Sequence, residues 1–220
     1  MRNLVVFGDS PFAERISIYI REEKQDNLVA FTLDKERIIR TSIDGIPILP
    51  LDELDIYFDK DSFEIILGIG YTQMNNLRSL LYNRCISLGY RVGSYISNNA
   101  IVYTSEIGDG SIILPNVLVG PRCKIGVCTF FESSCALSHD NIIGNFNFLS
   151  TNAVLGGNAK VGNHCFIGLH STIKNSLIIP DYTLIGSGAN LIKSPEDTYS
   201  VYTGNPAKRL IGKNPLDLHM

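Results

Sequence analysis

The chain has 220 residues, 45% of them hydrophobic, with 19 basic against 22 acidic side chains and a formal net charge of −3. That length allows one or two domains, and the mixed charge offers no basic surface, which excludes nucleic acid as an expected partner. The opening run Met1–Gly8 is too short and turns polar too soon to read as a secretion signal or a membrane span. Five cysteines (Cys85, Cys123, Cys128, Cys135, Cys165) lack the paired spacing of a metal site and suit a reducing cytoplasm.

The first hundred residues alternate strand and helix signals. Asn3–Phe7 is a short apolar strand ending at Gly8, Ala13–Glu23 reads as a helix, and Leu28–Leu33 is a second strand ending at Asp34. Phe63–Gly68 is a third strand, Gln73–Leu88 a helix stopped by Gly89, and Arg91–Ile96 a fourth strand. This alternation predicts a parallel, Rossmann-like α/β sheet. Ligands on such sheets bind beyond the carboxyl ends of the strands. That rule places Gly8, Asp9, Ser10, Asp34, Gly68, Gly70 and Tyr71 on one edge, with Asn75 and Arg78 as further polar contacts. The loop Gly8–Phe12 leads into a helix N-terminus, where free N–H groups can meet phosphate. The boundary is expected near Ser97–Asn99, dividing the chain into 1–97 and 98–220.

Beyond it the grammar changes. From Ile101 an apolar residue recurs at every sixth position through Ile107, Ile113, Val119, Ile125, Phe131, Leu137 and onward to Leu191. A period of six fits neither a helix nor one long strand. It fits a parallel β-helix of short strands and corners, each strand sending one side chain inward. Three hexads close one triangular turn, so residues 18 apart stack about 4.8 Å from each other. Cys123, Cys135 and Cys165 fall at the small-residue place of the hexad and read as buried fillers. The flat outer faces and the open ends call for neighbours.

A Rossmann-like unit followed by hexapeptide repeats resembles the left-handed β-helix acyltransferases that act on bacterial sugars. The nearest branch comprises the sialic acid O-acetyltransferases and the nucleotide amino-sugar N-acetyltransferases. The stretches that carry this resemblance are Leu137–Gly144, Leu155–Asn158 and Thr203–Arg209. The resemblance implies a left-handed coil, a homotrimer, and acetyl-CoA as co-substrate without a metal. It implies a catalytic His followed by an acidic residue at His139 and Asp140. It also implies backbone contacts to the acyl-CoA at Gly157, Leu169 and Ser187, with the acceptor on the N-terminal unit. The family loop there is Gly-x-Ser-Gly-His-like, and this chain keeps Gly8 and Ser10 but has Pro11 and Phe12 in the last two places.

Chemistry selects His139 independently. Acyl transfer needs a base for the acceptor proton and a donor for the developing oxyanion. Of four histidines only His139 precedes a carboxylate. Strand neighbours point to opposite sides, so Asp140 reaches His139 only if the corner bends. Gly157 lies 18 residues on, one rung above the base, where its N–H could meet an oxyanion. Lys193, Lys208 and Arg209 could neutralise CoA phosphates, and Asn190, Asn205 and Pro206 shape the C-terminal segment. His164 and His170 occupy adjacent faces and lack the spacing of a shared zinc site; packing or surface roles are expected. His219 falls in the terminal tail. The expected activity is acetyl-CoA-dependent N-acetylation of a nucleotide-linked amino sugar for surface polysaccharide. The alternatives are O-acetylation of a sugar or sialic acid, and an inactive binding solenoid.

Overall fold

The computed structural model describes residues 1–218, so His219 lies outside the described residues. The N-terminal unit is a five-stranded sheet. Strand β1 (Asn3–Phe7) is flanked by β2 (Asn27–Leu33) and by β5 (Phe63–Leu67), both parallel to it. Strand β4 (Ile46–Pro50) extends the sheet beyond β2, and β3 (Ser42–Ile43) forms the antiparallel edge. Helices α1 (Pro11–Glu23) and α3 (Asn76–Ser87) accompany the sheet, with a short α2 (Leu54–Tyr57) between β4 and β5. The β3–β4 hairpin was not foreseen. Its signal is Asp44–Gly45, both at positive φ (49° and 80°), the dipeptide that a tight hairpin turn demands.

Helix α1 starts at Ser10, whose hydroxyl accepts from the Ala13 N–H, and Pro11 occupies the first turn, where a missing N–H does no harm. Ala13, Ile16 and Ile20 bury their side chains against the sheet, while Ile18 is exposed. Gly8 and Gly68 end adjacent strands at close quarters: a Cβ on Gly8 would sit 3.0 Å from the Gly68 oxygen.

The second unit is the expected parallel β-helix, and its coil is left-handed. Its two-residue strands stack as three faces. The first face runs through Ile112–Ile113, Phe130–Phe131, Phe148–Leu149, Phe166–Ile167 and Leu184–Ile185. The second runs from Ile101–Val102 through Ala136–Leu137 to Asn190–Leu191, and the third from Lys124–Ile125 to Ile178–Ile179. Every inward residue from Ile113 to Leu191 is buried, none more than 5% exposed. Each contributes roughly 1.5–3 kcal/mol by leaving water.

Three features correct the sequence reading. Arg91–Ile96 is not one strand of the N-terminal sheet: Val92 bridges to Ile65, whereas Tyr95–Ile96 already pairs with Ile112–Ile113 as the first rung of the coil. That rung is one residue short, with Ile96 opposite Ile113 and Ile101 opposite Leu118. Ile101 therefore points outward and is 54% exposed, and Val102 takes the inward place. Finally, the coil does not stop at Leu191. Val201–Thr203 adds a further rung to the first face, and Lys208–Arg209 folds back antiparallel against it, covering that edge.

The first face is covered by the chain itself. Phe130, Phe148 and Phe166 form a stacked column with centroids 5.0 and 5.6 Å apart. Phe12 lies 5.0 Å from Phe130, and Tyr71 meets Phe148 and Phe166 edge-on at 4.8 and 5.0 Å. Arg78, fully buried, sits over Phe130 and Phe148 and donates to the carbonyls of Ile69 (2.6 Å) and Gly70 (3.2 Å). Burial pushes its guanidinium down to about 10, so it stays charged at neutral pH. Asn75 is also buried, and neither end of its amide has a partner among the described residues. His164 stacks between Phe146 and Tyr182, with its Nδ1–H donating to the Met74 carbonyl at 3.1 Å. At the other end of the junction Glu23 accepts from Tyr95 Oη, Ser97 Oγ, the Asn98 N–H and Asn99 Nδ2.

The junction makes stability acid-sensitive in two steps. Burial lowers His164 below its ordinary 6.5, so the fold favours the neutral ring and loses that contribution as pH falls below about 6.5. Burial pushes Glu23 upward, but the four hydrogen bonds outweigh it and hold the carboxyl below its ordinary 4.5. Its contribution is present above that value and lost as pH falls through the folded one. Glu23→Gln is expected to cost about 1 kcal/mol at neutral pH and to flatten the lower step. His164→Phe should flatten the upper one. Thermal melts from pH 3 to 8 check both.

Candidate active site

His139 and Asp140 occupy the corner between the second and third faces, following Leu137 and preceding Ile143. Asp140 is in the left-handed region (φ 58°), and this bend turns its side chain to the same side as the preceding imidazole. Its Oδ2 lies 2.6 Å from His139 Nδ1. The corner thus satisfies the condition set by the sequence.

Arg122 stands one rung below. Its Nε and Nη2 donate to Asp140 Oδ1 and Oδ2 at 2.6 and 2.7 Å, a two-pronged contact. The Arg122 bond first, and the His139 bond second, hold the Asp140 carboxyl well below the usual carboxylate range. An ionised carboxylate accepts only, so the Nδ1 beside it carries the proton and a neutral His139 keeps its lone pair on Nε2.

Gly157 lies one rung above. A Cβ there would fall 2.6 Å from His139 Nε2 and 2.7 Å from Cε1, so the imidazole tip occupies the space a side chain would need. The Gly157 carbonyl accepts from the Ser176 N–H at 2.9 Å, but its own N–H has no acceptor among the described residues. The constellation is an imidazole with a free Nε2 against bare backbone that offers an unused donor.

Leu169 and Ser187 stack on a different corner, between the first and second faces, and line a cleft of about 580 Å³. Its other walls include Tyr71, Phe148, Ser150, Thr151 and an Arg15–Glu132 ion pair at 2.5 Å. Gly70 and Tyr71 line an adjoining hollow with Phe12 and Gln73. Ser10 caps its helix, the Asp9 carbonyl accepts from Arg40, and Asp34 is ion-paired with Arg84. Lys208 and Arg209 are exposed on the C-terminal hairpin, where Arg209 pairs with Asp197. The chain therefore brings His139, Asp140 and Gly157 together, and separately Leu169, Ser187 and Tyr71. His139, His164 and His170 stand on three different corners, and no group of three or more metal-ligating side chains occurs among the described residues. Sequence reading missed Arg122, Arg15 and Glu132. The first was findable, because Arg122 and Asp140 are 18 residues apart.

No protein-family model matches the chain. Solved structures do. The acetyltransferase domain of PglB from Neisseria gonorrhoeae FA1090 superimposes with a TM-score of 0.84 at 22% identity, covering 96% of this chain and 100% of that one. The chain has the fold of these acetyltransferases. WeeI from Acinetobacter baumannii AYE gives 0.80 at 26% identity over 96% of this chain and 100% of that one. A variant of perosamine N-acetyltransferase from Caulobacter crescentus, in complex with CoA and GDP-perosamine, gives 0.81 at 19%, covering 96% and 97%. No described helix is long and apolar enough to cross a membrane.

Gly157→Ala is expected to displace the imidazole while leaving the melting temperature nearly unchanged. Its methyl has room only where the ring now lies, and misplacement of about 1 Å can cost 10²-fold in rate. An unchanged His139 ring resonance in the variant would contradict this packing.

Proposed function

We propose that the chain is an acetyl-CoA-dependent N-acetyltransferase acting on a nucleotide-linked amino sugar, in synthesis of a surface glycan. The observation that carries this reading is the free Nε2 of His139, held by Asp140 on one side and facing the bare Gly157 backbone on the other. It stands on a fold whose solved examples include one in complex with acetyl coenzyme A and one with CoA and GDP-perosamine.

The amine nitrogen of the acceptor attacks the thioester carbonyl carbon. His139 Nε2 takes the proton that the nitrogen sheds, and the Gly157 N–H donates to the oxyanion. Collapse of the tetrahedral intermediate forms the amide, breaks the carbon–sulfur bond and expels the CoA thiolate, which receives the proton from His139. Asp140 keeps the ring oriented and supports its transient positive charge. The pantetheine arm passes Leu169 and Ser187, and Lys208 and Arg209 lie toward the CoA phosphates. The acceptor is held by residues 1–97, through the edge of Gly8, Asp9, Ser10, Asp34, Gly70 and Tyr71. Residues 98–220 supply the acyl-transfer machinery.

The His139 corner and the Leu169–Ser187 corner are separate edges of one triangle, so one copy does not complete this site. A homotrimer, in which each His139 corner faces the cleft of a neighbour, resolves the separation. It also covers outward apolar residues on the two faces that the N-terminal unit leaves free, such as Val154 and Ile178. The cytoplasm, where acetyl-CoA and nucleotide sugars meet, is the matching compartment.

Release of CoA thiol with a panel of nucleotide-linked amino sugars and their hydroxy counterparts is the direct assay. His139→Asn should lower kcat by about 10²–10⁴ with acetyl-CoA binding retained, the range for loss of a general base. Turnover within twofold of the parent would sink the assignment. Light scattering at micromolar concentration should return three times the chain mass; a monomer would leave the site without its second half.

A further inference from the structure

We infer that Arg122 is a positioning residue for acyl transfer, acting through Asp140 on the tautomer and aim of His139. This rests on the reading of His139 as the base. Arg122 holds both oxygens of Asp140, Oδ1 at 2.6 Å through Nε and Oδ2 at 2.7 Å through Nη2. A carboxylate gripped at both oxygens cannot rotate about its Cβ–Cγ bond. Oδ2 is the same atom that lies 2.6 Å from His139 Nδ1. The guanidinium fork therefore fixes the acceptor for Nδ1–H, and with it the direction in which Nε2 meets Gly157.

The charges around the corner are few and named. Arg122, Asp140, Glu106, Lys124 and Lys160 line one groove beside it. Lys124 pairs with Glu106 at 2.9 Å, and among the described residues Arg122 is the cation bonded to Asp140. The Arg122 side chain is 70% exposed, so its contact with Asp140 adds little to folding. Its consequence lies at the imidazole. With Arg122 in place Asp140 stays ionised and leaves the proton on Nδ1; the lone pair stays on Nε2. A lysine at 122 would keep the charge but offer no planar fork.

The test uses the full-length protein with Arg122→Met, which removes charge and fork, and Arg122→Lys, which removes the fork alone. Nitrogen-resolved imidazole spectra are recorded without substrates. The parent is expected to show neutral His139 as a single Nδ1–H tautomer. Both variants should show mixed tautomers. In steady-state assays kcat should fall roughly 10- to 100-fold, the scale for a partner one contact removed from the reacting group. KM for both substrates should hold within about threefold, since a contact expressed only in the transition state moves kcat. Unchanged tautomers in both variants would overturn the inference, whatever the rates do. Mixed tautomers with parental kcat would keep the positioning and sink His139 as the base.

Discussion

Everything in this molecule hangs on closure of the coil at 18 residues. One apolar side chain per hexad must reach the axis, and small side chains such as Cys123, Cys135 and Cys165 fill the space beside it, because three short strands enclose room for little more. Once Leu137, Leu155 and Ile173 are stacked by their backbone ladder, every residue between them is stacked as well. Arg122, Asp140 and Asn158 form one such column, and His139 and Gly157 form another. The site is assembled by the same register that builds the core, with no long loop to order. This explains how side chains on an exposed corner can hold a defined geometry: the backbone under them is fixed by inward neighbours on both sides.

The same register sets what a corner can accept. The residues at 122, 128, 134, 140, 146, 152, 158, 164, 170, 176 and 182 all have φ between 50° and 65°. Only a few of them are asparagine or aspartate, the residues that tolerate this region best. Among the others, Phe146, His164 and Tyr182 are held there by packing. Those three stack into a column, with Tyr199 continuing it at 4.5 Å from Tyr182. The column meets the N-terminal unit at Met74 and at Asn76, whose Oδ1 accepts from Tyr182 Oη. Corner strain on this edge is thus offset by docking, whereas the corner at Asp140 spends its bend on orienting an imidazole.

Docking also accounts for Phe12 in the loop that opens α1. Phe12 packs on Phe130 and Phe148, and Arg15 follows one helical turn later, reaching Glu132 across the cleft. The first turn of α1 therefore serves as the wedge between sheet and solenoid. Phe12 is recruited to the joint and lines the hollow beside Gly70 and Tyr71. Tyr71, edge-on against two phenylalanines, belongs both to that hollow and to the cleft of Leu169 and Ser187. The joint and the space available to a ligand are set by the same aromatic side chains.

By itself the sequence determined the coil, its period, and the stacking of His139 under Gly157, because a six-residue repeat translates directly into position. It determined β1, α1 and β5 nearly to the residue, since short apolar runs bounded by glycine or capped by Ser10 are local signals. Arg122 was equally legible by counting 18 back from Asp140, although an isolated arginine reads as surface charge until its rung is counted. Only the tertiary structure decided the rest. The one-residue-short first rung turned Ile101 outward, which no apolar count can reveal because Ile101 and Val102 are both apolar. The side on which Asp140 emerges depended on a backbone bend. The joining of Tyr71, Arg15 and Glu132 to Leu169 and Ser187 depended on which face the N-terminal unit covers, and that choice rests on contacts of Phe12 and Tyr71 with the 18-spaced column Phe130, Phe148 and Phe166; the column is periodic in the sequence, but nothing periodic marks its distant partners.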